Sequence, residues 1–411
     1  MTIQPRTEPT IFVTVVPEGA AARRVDLSDE VLSLVYEDSE SKADKLVLSV
    51  DNWSLRNFDD LTWKKGNLLE VSWGYPGDMT PTRTVVVQKV TGFQTLAVEA
   101  HGTAMLMNKI TRCRTFENVS RSDVVRKVAQ ENGFGPTRQD VEDTAHVLPV
   151  ITQARMTDAQ FLRYLSGKEG FAFYVDVDGL HFHKRRLGQR PSHVLRWYTP
   201  PEVGELIAVH IENDVTARPG AIDVRGRDPL SKQDIHARGS NATTQRDSLA
   251  PVLEIVDPET GATRLERRNV SEAIHTTAEP TAAVAKRQAD AQYRDTQHLT
   301  VQLTATVLGD PSLVAKTVVE LQGISQRLSG KYYVREAKHK IDGSGYTVEL
   351  SCLRDGHNAL AGPPSKGTPN RGTAAQNDPD ALRPIEVVDK ETGRTHIEYR
   401  STRGRSAAGE P

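Results

Sequence analysis

Three observations predict an α+β chain dominated by antiparallel β structure. Two stretches carry short strands of period two, the block between them shifts to a helical period, and the tail is rich in Pro and Gly. These divide the 411 residues into a first β domain at 1–100, a mixed α/β insertion at 101–200, a second, interrupted β domain at 201–360, and a flexible linker with a terminal β-hairpin at 361–411. A chain of this length is too long for one core, because single cores rarely grow past roughly 250 to 300 residues.

From Pro9 to about Ala100 the strand candidates are TIFVTVVP, EVLSLVYE, DKLVLSVDN, NLLEVSWGY, RTVVVQKVTGF and TLAVEAHG, separated by turns such as GYPGDMTP. In DKLVLSVDN, Leu46, Leu48 and Val50 share one face while Val47 and Ser49 share the other, which predicts a half-buried strand in a small barrel or sandwich. The insertion opens with Ser120 and Asp123 spaced as a capping box ahead of Val124, Val125, Val128 and Ala129, a helical stripe that stops at Gly133. Thr157 and Gln160 repeat the device for a second helix, which buries Phe161, Leu162 and Leu165 and ends near Gly170. FAFYVDVDGLHFHK then predicts a hairpin turning at Asp178-Gly179.

Strands return at ELIAVHIEN and AIDVRGRDP, followed by a loop-rich segment over 229–278. A helix starts near Pro280, where proline suits the first turn, and leads to HLTVQLTATV, KYYVREAKHKI and GYTVELSCLR. VDPETGATRLERR at 256–268 and VDKETGRTHIEYR at 388–400 share a V-D-x-E-T-G-x-T frame, and each reads as a protruding hairpin. The intervening GPPSKGTPNRGTAAQNDPDALRP cannot build a core and serves as a tether.

Charge narrows the partners. With 52 basic and 54 acidic side chains the net charge is −2, so no overall field favours nucleic acid or anionic lipid, and protein partners are expected. A hydrophobic fraction of 37% fits a chain with exposed linker or surfaces awaiting a partner. Cys113 and Cys352 are too far apart in sequence for a metal motif and read as buried, isolated thiols. The absence of a signal-like start and of any 18-residue apolar run predicts synthesis and folding in a cytoplasm.

No catalytic signature is present: there is no GxSxG, HExxH or phosphate-loop pattern, so no catalytic, cofactor-binding or metal residues are assigned, no cofactor is expected, and the chain reads as a non-enzyme. His181 and His183 lie on one strand face and offer two metal ligands, but no third ligand is near in sequence. Asp176 and Asp178 are a poor carboxylate pair, since the turn needs Asp178 and Asp176 points outward. Lys184, Arg185 and Arg186 read as a solvated hairpin end, as do Arg400, Arg403 and Arg405 in the tail. Trp53, Trp63, Trp73 and Trp197 fit either a core or a subunit interface.

The run AHGTAMLMNKITRCRTFENVSRSDVVRKVAQENGF resembles phage late control gene D and VgrG-type hub proteins, with an R-x-R-T-F motif at Arg112, Arg114, Thr115 and Phe116 followed by Asn118 and the helix of Asp123, Val124, Val125 and Arg126. The likeness continues through Phe161, Leu162, Leu165, Gly170, Phe171, Asp178, Gly179, Leu180 and Phe182, then through IDVRGRDP, and closes on Gly330, Tyr332, Tyr333, Val334, His339, Gly345 and Tyr346. It covers roughly residues 10–358 in the family's order, and departs from it at Ala315-Lys316, where a Pro-Gly turn is usual. The resemblance implies two tube-protein-like β-barrel domains in a baseplate hub of a phage tail or contractile injection system. It also implies a homotrimer that adapts a hexameric inner tube to a trimeric spike, with other baseplate subunits as further partners. The tail leaves no room for the needle fused to VgrG-type chains, so the spike is expected as a separate protein. A wall-cutting tail enzyme or a stand-alone β-rich binding protein is the alternative.

Overall fold

The computed structural model describes residues 8–16, 25–59, 63–197, 204–213, 220–227, 232–240, 252–256, 263–267, 272–277, 281–298, 301–324, 328–354, 382–388 and 395–401. It is predominantly antiparallel β, and its contacts divide it into a unit of residues 1–361 and a second of 362–411.

The first region supplies β1 (Thr10–Val16), β2 (Val25–Asp26), β3 (Val31–Ser39), β4 (Lys45–Asp51), a short α1 (Arg56–Asp59), β5 (Leu68–Tyr75), β6 (Asp78–Met79), β7 (Arg83–Gly92) and β8 (Thr95–Gly102). Alternation sets the inward face: Leu46, Leu48 and Val50 of β4 and Leu96, Val98 and Ala100 of β8 are fully buried. Each such Leu or Val stabilises the fold by roughly 1.5–3 kcal/mol relative to exposure.

The insertion contains β9 (Thr111–Ser120), α2 (Arg121–Glu131), β10 (Gln139–Val141), β11 (Val147–Thr157), α3 (Asp158–Glu169), β12 (Ala172–Val175) and β13 (Leu180–His183). Both capping boxes form, Ser120 with Asp123 and Thr157 with Gln160, and Gly170 closes α3 in the left-handed conformation at φ 68°. Val124, Val125, Val128, Phe161, Leu162 and Leu165 make a second core with Leu180 and Phe182.

The remainder of the first unit holds β14 (His193–Arg196), β15 (Leu206–Asn213), β16 (Ala221–Arg227), β17 (Asp234–Ser240), β18 (Val252–Val256), β19 (Thr263–Arg267), β20 (Glu272–Thr277), α4 (Ala282–His298), β21 (Val301–Leu308), β22 (Val318–Gln322), β23 (Gly330–Asp342) and β24 (Gly345–Arg354). β17 and β20 thus lie where a loop-rich segment was expected, while β18 and β19 pair where a hairpin was expected within it. β17 hides behind its Gly and Ser content, and β20 pairs in parallel with β16, a non-local contact that no short-range pattern reveals. Pro280 lies outside the described residues; α4 covers the sheet of β16, β17 and β20, burying Ala285, Ala289 and Tyr293 against Val224 and Ala237.

The β regions on either side of the insertion form one sheet. β3 pairs antiparallel with β23 from Leu34↔Ile341 to Ser39↔Glu336, so the order β15-β21-β24-β23-β3-β4-β8-β7-β5-β1-β2 crosses from one region to the other without a break. One apolar core serves both, with Val13, Leu34, Trp73, Leu303, Val334 and Leu350 among its members. In the second unit, β25 (Leu382–Val388) and β26 (Thr395–Ser401) form an antiparallel hairpin, as β18 and β19 do in the first; these two pairs carry the V-D-x-E-T-G-x-T frames.

Candidate functional site

The R-x-R-T-F motif lies on β9 and ties the two helices of the insertion together. The Arg114 guanidinium donates to Asp158 at 3.0 Å, to Gln153 at 2.7 Å and to Glu131 at the end of α2. Arg112 stands 3.4 Å from the same Asp158 carboxylate, which opens α3 and is buried. Phe116 stacks on Phe161 with ring centroids 6.0 Å apart, and Arg121 and Arg287 converge on buried Glu169, at 2.6 and 3.0 Å. The motif is therefore a fastening inside the insertion.

A second polar network is buried where the insertion meets the long sheet. The Lys316 ammonium binds Asp38 and stands 3.9 Å from Asp44, while Arg83 is 3.8 Å from Asp44 and the Tyr36 hydroxyl donates to Asp44 at 2.6 Å. Lys316 adopts φ +66°, its N–H donates to the Val334 carbonyl at 2.7 Å, and the Ala315 N–H donates to Asp38 at 3.0 Å. The turn at Ala315-Lys316 is thus held by a buried ion pair. Burial pushes Asp44 up, the Asp38 charge adds to this, and its pKa reaches about 6; burial also raises Asp38, but Lys316 and Arg83 outweigh it and the net shift is downward. A polar cavity of about 140 Å³ opens beside this network, lined by Tyr36, Asp44, Arg83, Arg138 and Asp176.

The closing motif residues are internal as well. The Tyr333 hydroxyl donates to Glu40 at 2.6 Å, and Glu40 also receives the Arg185 guanidinium at 2.7 Å. His339 Nδ1 and the Tyr346 hydroxyl are 2.7 Å apart, and burial pulls the His339 pKa down to about 4, so the imidazole is neutral at physiological pH. Gly309 runs against Tyr346 so closely that a Cβ would stand 2.1 Å from its ring.

Several sequence expectations need correction here. Asp176, not Asp178, holds the β12–β13 turn: its Oδ1 accepts from the N–H groups of Asp178 and Gly179, at 2.9 and 3.2 Å, while Asp178 is exposed. The basic run is not a free solvated end, since Lys184 pairs with Glu142, Arg185 with Glu40 and Asp295, and Arg186 with Asp140. Cys352 is buried, with its thiol pushed up to about 12, but Cys113 is exposed. Trp63 and Trp73 are core residues, whereas Trp53 and Trp197 are not. Beside His181 and His183 the fold places Asp140, brought in by the parallel pairing of β10 with β13; sequence spacing gives no hint of it.

Two exposed aromatic residues lie on loops of the first region that are bonded to each other. Trp53 is 73% exposed and Phe93 62% exposed, and Asn52 ties their loops by donating to the carbonyls of Gln94 and Phe93 at 2.9 and 2.7 Å. Leu55, between β4 and α1, and Leu32, at the start of β3 where that strand pairs with the end of β4, are also exposed. Among the described residues no helix is long and apolar enough to cross a membrane.

Among solved structures, the chain is similar to a tail protein from Neisseria meningitidis MC58, at 15% identity, covering 85% of this chain and 98% of that one with a TM-score of 0.60. It is also similar to the 43 kDa tail protein of prophage MuSo2 from Shewanella oneidensis, at 13% identity, 86% and 100% coverage and a TM-score of 0.57. An E. coli type VI secretion system component, described as structurally similar to phage T4 tail proteins, matches at 10% identity, 94% and 88% coverage and a TM-score of 0.51. At these identities the likeness is one of fold, and the fold is that of tail proteins. No curated protein sequence matches the chain. The family model that matches is neither the late control gene D nor the VgrG model that the motifs resemble. It describes the Alg8 N-terminal domain and matches residues 51–343, more than half of the sequence, so the chain belongs to the Alg8 N-terminal domain family.

Proposed function

We propose that this chain is a structural baseplate hub of a phage tail or contractile injection system, a homotrimer that joins a hexameric inner tube to a trimeric spike. The observation that carries this reading is the likeness to tail proteins, which spans 85% of this chain and 98% of the Neisseria tail protein. The motif residues of the resemblance support it, because Arg114, Tyr333, His339 and Tyr346 fasten the fold internally and ask no chemistry of a substrate. In this reading residues 1–100 and 201–360 are the two tube-like hub domains, so three chains offer six near-equivalent units to the tube and three to the spike. Residues 101–200 are the insertion, and 361–411 are a tether whose hairpin reaches the spike or a neighbouring subunit. The chain is made in the bacterial cytoplasm, assembles into a tail-like particle and performs no catalysis.

The exposed Trp53 and Phe93 surface is a natural contact for a neighbouring subunit, since aromatic side chains are enriched at such interfaces. Light scattering on the purified protein, alone and mixed with the candidate spike chain, tests the proposal. A trimer, or a monomer that becomes a 3:3 complex, is expected; a monomer indifferent to the spike overturns it. Deleting 362–411 weakens spike attachment if the hairpin reaches across, and unchanged trimer and attachment refute that part.

A further inference from the structure

The three-stranded sheet β10-β13-β12 turns one face to the insertion core and the other away from it. Leu180 and Phe182 are fully buried on the core face, so His181 and His183 share the opposite one. Parallel register sets Asp140 beside His181, and the ligand atoms of Asp140, His181 and His183 all lie within 4.8 Å of one another.

Hydrogen bonding orients both imidazoles. His181 Nε2 lies 2.9 Å from Asp176 Oδ1 and His183 Nδ1 lies 2.7 Å from the Lys184 carbonyl, and both partners are acceptors. Each of those nitrogens therefore carries the proton, and in the neutral rings His181 Nδ1 and His183 Nε2 present lone pairs. Both face the Asp140 carboxylate, at 3.5 and 3.6 Å from its Oδ2, and His181 Nδ1 is buried without a hydrogen-bond donor. Three acceptors thus converge on one point. With metal bonds of about 2.0–2.2 Å, the edge of a tetrahedral Zn²⁺ site is roughly 3.4 Å, close to the two separations between Asp140 and the imidazoles.

We propose that Asp140, His181 and His183 bind a divalent transition-metal ion such as Zn²⁺, with water in the fourth position. Two imidazoles and one carboxylate select such an ion over Mg²⁺ or Ca²⁺, which prefer all-oxygen sites. Asp176 and the Lys184 carbonyl are positioning groups. Two donors compete with the ion: Arg186, 2.7 Å from Asp140 and half exposed, and the Tyr174 hydroxyl, 3.3 Å from His183 Nε2. The ion would cross-link β10 to β13, neighbouring strands of the insertion, and this holds whether or not the chain is a hub.

The test uses full-length, tag-free protein stripped with a chelator, then titrated with Zn²⁺ by calorimetry and with Co²⁺ by visible absorption. One Zn²⁺ per chain and a tetrahedral Co²⁺ spectrum that Zn²⁺ displaces are expected. His181→Gln and Asp140→Asn should each weaken Zn²⁺ at least tenfold, and Asp176→Asn by roughly 10–100-fold. Arg186→Gln should tighten binding by removing the competing guanidinium, and its exposed position keeps it informative if the others misfold. No stoichiometric Zn²⁺ uptake by either wild type or Arg186→Gln overturns the proposal, as does uptake that is indifferent to His181→Gln and Asp140→Asn.

Discussion

Replacing Lys316 with Met keeps the length of the stem and the backbone strain at φ +66° but removes the cation from a buried cluster. The Lys316, Asp38 and Asp44 side chains are 6%, 3% and 8% exposed, so most of the charge left behind stays out of bulk water. Breaking a buried pair by removing one partner costs about 3–5 kcal/mol, because the remaining charge stays desolvated. Here two carboxylates are affected, and among the described residues Arg83, 3.8 Å from Asp44, is the cation left beside them. The Ala315 N–H and Tyr36 hydroxyl still donate to them, which places the expected loss within that range rather than above it. Urea unfolding at pH 7.5, followed by the fluorescence of buried Trp73 beside Tyr36, should show a midpoint lowered by roughly 1 M for a slope near 3 kcal/mol/M. Without Lys316, burial raises the pKa of Asp38, so acid neutralises the stranded carboxylates and the deficit should shrink by more than half at pH 5. A loss under about 1 kcal/mol at pH 7.5, or one equal at both pH values, refutes the account.

Asp44 supplies a pH test of its own. Its folded pKa of about 6 lies above the ordinary 3.8, so the stability it contributes is fully present below pH 4 and is lost as pH rises through 6. Asp44→Asn should therefore gain about 3 kcal/mol relative to wild type between pH 4 and pH 7, read from paired denaturation curves. Gly309→Ala places a methyl 2.1 Å from the Tyr346 ring and should cost about 3 kcal/mol or more, visible as a lowered melting temperature; an unchanged melt would mean that the strand ends shift freely. Asp158→Ala removes the carboxylate that Arg112 and Arg114 share while leaving Arg114 on Glu131 and Gln153, and should destabilise by about 1.5–3 kcal/mol, with protection of α2 and α3 amides lost first in hydrogen exchange.

What lay open in the sequence was local. Period-two alternation in β4, the capping boxes at Ser120 and Thr157 and the left-handed Gly170 cap all depend on residues within a few positions of one another, and each forms as the pattern indicates. The tail-protein fold was legible through the ordered succession of such motifs. Non-local pairing was not. The β3–β23 seam joins residues some three hundred apart, β20 reaches β16 in parallel, and both depend on register that no sequence window contains.

The same division governs the site residues. His181 and His183 were visible as a pair because a strand puts alternate residues on one face, but Asp140 joined them only through β10; Asp176 as the turn's acceptor is a contact over two and three residues, so it was local and open to a sequence reading that chose Asp178 instead. Lys316 is the sharpest case. By itself the sequence showed only a departure at Ala315-Lys316 from the pattern it resembles, while tertiary structure alone decided that a buried ammonium would sit there. A charge becomes tolerable inside a protein only when carboxylates from distant strands converge on it, and that convergence is a property of the assembled sheet.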